Sequence, residues 1–117
     1  MTAQNAYVGV TLATVAANGF IAAADIARAR FVRVNSARVG VPESWLTPLG
    51  LLKAAGATGL LLGLFGLRLV GVAAGIGLTL FFVGAVVTHL RVRNYALSFP
   101  GLYLVLAVSS LVLALGS

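Results

Sequence analysis

Four apolar runs constrain this chain more than any other feature. They cover about residues 6–27, 45–66, 69–90 and 95–115. Each holds about 20 residues, enough at a rise of about 1.5 Å per residue to cross a hydrocarbon core about 30 Å thick. Lipid offers no partner to a backbone amide, so a run of this kind must be helical. The links between the runs are short, and only Leu67 and Arg68 separate Gly66 from Leu69. The chain is therefore expected to be an all-α integral membrane four-helix up-down bundle, with one domain over residues 1–117. Only 9% of its residues are charged and its mean hydropathy is +1.09, whereas a soluble domain carries roughly a quarter charged residues. The leading MTAQNAY lacks a basic segment and a small-residue cleavage pattern, so the first run reads as a retained span and not as a signal peptide.

The charge is distributed in islands. Arg28, Arg30, Arg33 and Arg38 follow the first run, Arg91 and Arg93 follow the third, and Arg68 stands alone on the opposite side. The net charge of +6 therefore forms no continuous basic face, and nucleic acid is excluded as a partner. The positive-inside rule places the six arginines in the cytoplasm and both chain ends outside a bacterial inner membrane. These arginines are the candidate docking face for lipid or for a partner protein. Gly40 and Pro42 interrupt the first loop, and Phe31, Val32 and Val34 among its arginines predict a short segment on the membrane surface. Trp45 is placed to anchor at headgroup level.

The polar residues within the spans are the candidate chemistry. Thr11, Thr14, Asn18 and Asp25 share one helical face. Two roles fit that face: hydrogen bonding to neighbouring helices, or lining a ligand cavity. Asp25, Lys53 and His89 fall near one depth on one side of the membrane, and with Asn18 they are the candidate ligand-binding residues. An ammonium in hydrocarbon costs several kcal/mol, roughly 2.5–3.5 at the centre, so Lys53 is predicted to face the bundle and pair with Asp25. The competing arrangements are Lys53 snorkelling to the headgroups, Asp25 pairing with Arg28, and His89 as a simple interfacial residue. Gly56, Gly59, Gly63 and Gly66 give the second span a small-residue face. Gly71, Gly75, Leu78, Phe82, Ala85 and His89 form a matching seam on the third. With no cysteine and one histidine, no metal site is expected, and haem fits poorly. Ser109 and Ser110 have no base in reach, so no catalytic residue is assigned.

The segments GVPESW, GLLKAAGATGLLLGL and GLTLFFVGAVVTHLRVRN, in this order, resemble the DoxX-like family of small four-helix bacterial membrane proteins. VNSARVGVPESWL is similar to its actinobacterial branch in particular. The resemblance covers about residues 25–94. Lys53 and Asn94 depart from it, standing where acidic residues are frequent. The family's namesake is a subunit of a thiosulfate:quinone oxidoreductase, and a similar mycobacterial protein scaffolds soluble redox enzymes. The resemblance thus implies a non-catalytic membrane subunit or scaffold beside redox or oxidative-stress enzymes, alone or as a homo-oligomer. The alternative is an enzyme or binder of a lipophilic small molecule such as a quinone, held within the bundle. A small multidrug transporter is the third candidate, although such carriers place their carboxylate in the middle of the first helix.

Overall fold

A computed structural model describes residues 2–94 and 97–116. It contains α1 (Ala3–Ile26), α2 (Arg30–Arg38), a 3₁₀ turn (Glu43–Trp45), α3 (Leu46–Leu64), α4 (Arg68–Arg91) and α5 (Ser98–Leu115), with no strand among the described residues. Four of these segments are long and apolar enough to cross a membrane: α1, α3 with its 3₁₀ turn, α4 and α5. The molecule is 41 Å long, which exceeds a hydrocarbon core of about 30 Å. The four long helices close a ring in which α1 touches α3 and α5, and α4 touches α3 and α5. Every neighbour in this ring runs antiparallel, as the short connections demand. The surface segment predicted from Phe31, Val32 and Val34 is α2.

Local chemistry sets the helix ends. Thr2 caps α1 by accepting the Asn5 N–H at 3.1 Å, which starts the helix three residues earlier than hydropathy indicates. Within the run from residue 95, Pro100 as a first-turn residue predicts a helix start at Leu97–Pro100, and α5 is seen from Ser98; Tyr95 and Ala96 lie outside the described residues. Pro48 and Pro100 occupy first turns, where an amide has no intrahelical partner to lose. Gly66, expected on the packing face of α3, instead lies beyond its end with φ +103°. There it forms the reversal into α4, with the Leu67 N–H on the Leu62 carbonyl at 3.2 Å. Arg28 and Arg93 hold the same left-handed conformation at φ +54°, and the residue after each donates to the helix at 2.9 Å. A side chain in that region costs roughly 1 kcal/mol, offset where a cation meets the negative end of a helix. Across the membrane, Arg68 donates to the Leu115 carbonyl at the end of α5, at 3.2 Å.

Interior packing differs between the two ends of the bundle. At the Arg68 end, α3 and α4 meet backbone to backbone. A Cβ on Gly63 would stand 2.7 Å from Gly71 Cα, and one on Gly59 2.6 Å from Ala74 Cβ. Toward the arginine-rich end the facing residues grow to Leu78, Phe81 and Phe82. The predicted α4 seam of Gly71, Gly75, Leu78, Phe82 and His89 is buried, with Ala85 half-buried. On α1, the Thr11 and Ser110 hydroxyls lie 3.0 Å apart. The Thr14 hydroxyl donates to the Val10 carbonyl at 2.8 Å and approaches the Leu106 carbonyl at 3.3 Å. The upper part of the polar stripe therefore joins α1 to α5. Ser110, which has no base in reach by sequence, is the partner of Thr11.

Gly71→Ala is expected to lose about 2 kcal/mol of stability, because its Cβ would meet the backbone of Gly63 and not a movable side chain. Gly77→Ala, which opens onto empty space, should be close to neutral. Thermal unfolding of both variants in detergent checks the contrast.

Candidate functional site

The wider, arginine-rich end of the bundle holds the ionisable residues. Asp25 sits in the last turn of α1, drawn against α3 by Gly50; a Cβ there would stand 2.9 Å from Asp25 Cβ and 3.0 Å from the Ala22 carbonyl. Lys53 lies two turns into α3, and its Nζ donates to Asp25 Oδ2 at 2.6 Å. Both residues are buried, at 3% and 8% exposure. The ammonium also lies 5.2 Å from the centroid of the Phe81 ring on α4, a cation–π contact worth roughly 1 kcal/mol. Removing two charges from water is expensive, and their mutual attraction offsets this only where geometry and further contacts are good. The ion pair, the Phe81 face and the closeness permitted by Gly50 supply those conditions. Asp25 therefore pairs across helices with Lys53, the predicted arrangement.

His89 ends α4 at 4% exposure. Its Nδ1 lies 2.8 Å from the Ala85 carbonyl one turn back, while its buried Nε2 has no hydrogen-bond partner. Asp25, Lys53 and His89 all line one cavity of about 410 Å³, within the size range of small-molecule sites. Val32 and Ser36 of α2 and Val39 just beyond it line the cavity at the arginine-rich end, and Phe81, Phe82, Phe99 and Tyr103 supply aromatic walls. Leu52, Leu80 and Gly84 also line it, yet they are exposed on the outer faces of α3 and α4. Asn35, Trp45 and Phe99, also exposed, line it toward the arginine-rich end.

The remaining candidates lie elsewhere. Asn18 is fully buried but does not border the cavity; its Nδ2 donates to the Thr14 carbonyl at 3.0 Å and its Oδ1 has no partner. Arg28, Arg30, Arg33, Arg38, Arg91 and Arg93 are all exposed at this end of the molecule, and none lines the cavity. Arg33 reaches Glu43 only at 4.0 Å with both side chains half exposed, a pair of small energetic weight. Of the aromatic walls, Phe82 is marked by sequence as a seam residue, whereas Phe81, Phe99 and Tyr103 are not. The adjacent Phe81 and Phe82, and Tyr103 as the polar aromatic within leucine-rich α5, are the signals that could have marked them. Tyr103 is fixed by donation to the Ala17 carbonyl at 2.9 Å and by stacking on Phe99, with ring centroids 5.5 Å apart.

Residues 9–110 match the model of the DoxX-like family. The chain belongs to the DoxX-like family. No curated protein and no solved structure matches it. With its four span-length apolar helices, this DoxX-like chain is a multi-pass membrane protein.

In the DoxX-like bundle, removing one member of the buried pair strands the other. Lys53→Met and Asp25→Asn are each expected to cost roughly 3 kcal/mol, and the double variant less than the sum of the two. Thermal stability in detergent measures this; simple additivity would show that the two side chains do not interact.

Proposed function

We propose that this DoxX-like protein binds a neutral lipophilic ring compound, such as a quinone, in the cavity beside Asp25, Lys53 and His89. One observation carries the proposal: an aromatic-walled cavity of about 410 Å³ that contains both an internally balanced ion pair and a buried ring nitrogen without a partner. The balance of charge favours an uncharged occupant, the Phe81, Phe82 and Tyr103 rings favour a flat one, and the exposed Leu52 and Leu80 at its border favour one that arrives through the lipid. The paired Asp25 also counts against a multidrug carrier, whose carboxylate must be free to exchange a proton for a cation.

The scaffold role implied by the family resemblance draws support from a different feature. The six exposed arginines, three of them on α2, lie outside the cavity and would form the docking surface for redox or oxidative-stress enzymes at a bacterial inner membrane. The two roles are compatible, since a membrane subunit can hold the lipophilic reactant of a soluble partner. With the arginines cytoplasmic, both chain ends face outward.

Two measurements check these proposals. The full chain in lipid nanodiscs is expected to bind a short-chain quinone or its quinol saturably by calorimetry, with Ala85→Phe weakening binding at least tenfold by filling the cavity. A failure of the intact protein to bind either form would overturn the ligand proposal. A topology reporter fused after Ser117 should be active only outside the cytoplasm; cytoplasmic activity would reverse the orientation.

A further inference from the structure

His89 carries information about the occupant's own hydrogen bonding. Its Nδ1 lies 2.8 Å from the Ala85 carbonyl oxygen. A carbonyl oxygen can only accept, so Nδ1 bears the hydrogen. In a neutral imidazole the other nitrogen then carries a lone pair and accepts. That nitrogen, Nε2, is buried and has no partner in the protein. A buried acceptor left empty forfeits its solvation, and His89 lines the cavity proposed above as the ligand site.

We propose that the occupant donates a hydroxyl hydrogen to His89 Nε2, so that the cavity selects the phenol or quinol form of a ring over its carbonyl or ether counterpart. This rests on the ligand-binding proposal of the preceding subsection and adds the chemical class of the ligand. A quinone carbonyl set against Nε2 would bring two lone pairs together, whereas an aryl hydroxyl satisfies the nitrogen and keeps the ring among Phe81, Phe82 and Tyr103. The other polar groups do not reverse this preference. The Tyr103 hydroxyl is already committed to the Ala17 carbonyl at 2.9 Å. The Asp25 carboxylate is held by Lys53 at 2.6 Å. Lys53 retains hydrogens beyond the one given to Asp25, but these can reach a carbonyl or a hydroxyl oxygen alike and so do not discriminate. The Ser36 and Thr88 hydroxyls are committed to the Arg33 and Gly84 carbonyls, any free acceptor on the Asp25 carboxylate favours the same hydroxyl form, and His89 Nε2 is the fully buried acceptor of the lining that has no partner.

The test uses a redox-inert pair of probes that differ only at the oxygen, para-hexylphenol and para-hexylanisole, titrated into the full chain in lipid nanodiscs by calorimetry. The phenol is expected to bind about tenfold or more tightly than the ether, as for a hydrogen bond to a buried acceptor. His89→Phe is expected to bind the two alike. Equal affinity of the two probes for the unaltered protein would overturn the hydroxyl assignment and leave the ligand site standing, whereas no saturable binding of either would overturn both. A second measurement depends on no variant and no ligand. The chain has one histidine, so nitrogen-15 labelling of histidine reports on His89 alone. A protonated Nδ1 with a bare Nε2 is expected; a ring protonated at Nε2 would overturn the proposal.

Discussion

A contact of 2.6 Å between Lys53 Nζ and Asp25 Oδ2 governs the functional end of this bundle. Each charge alone would be driven toward the headgroups or neutralised, because hydrocarbon does not solvate it. Together they remain inside, and their positions fix the neighbours. Asp25 can approach α3 only over Gly50, where a Cβ would collide with it at 2.9 Å. Lys53 in turn lies against the face of Phe81, which ties α3 to α4 above the level where their backbones touch. One ion pair thereby links α1, α3 and α4 at the same depth as the cavity, and leaves that cavity polar without making it charged.

The two ends of the molecule follow from one gradient in side-chain size. Gly59, Gly63 and Gly71 bring α3 and α4 into backbone contact near Arg68. Leu78, Phe81 and Phe82 hold the helices apart toward His89. Space opens there, and α2 covers it with Val32 and Ser36, joined by Val39 just beyond the helix, while its arginines remain exposed. An aromatic series continues outward from Phe82 through Tyr103 and Phe99 to Phe31 on α2, with centroid separations of 5.2, 5.5 and 6.3 Å. The surface helix is therefore attached to the cavity wall by ring contacts as well as by its buried aliphatic side.

How much of this was legible in the sequence depended on whether the controlling interaction was local. Span number and helical state follow from apolar run length alone, since lipid leaves the backbone no other solution. The α4 seam and the face shared by Thr11, Thr14, Asn18 and Asp25 follow from helical periodicity. Lys53 and Asp25 could be matched because depth is proportional to residue number along a helix. Periodicity says nothing about which helix lies opposite, so the Thr11–Ser110 contact and the walls formed by Phe81, Phe99 and Tyr103 were hidden, as was the separation of Asn18 from the cavity. The start of α1 was missed because a hydrophilic cap, Thr2, sets it, and Gly66 was misplaced because a glycine that closes a turn has the same spacing as one that packs.

The chain contains one lysine and one aspartate, so the pair can be observed without mutation. Protein labelled with nitrogen-15 at the lysine side chain and carbon-13 at the aspartate carboxyl, reconstituted in bilayers, allows the dipolar coupling between Lys53 Nζ and the Asp25 carboxyl carbon to be measured by solid-state NMR. Strong dephasing, corresponding to direct N–H···O contact, is predicted. Absence of measurable coupling would place the ammonium at the headgroups and contradict the ion pair around which the site is built.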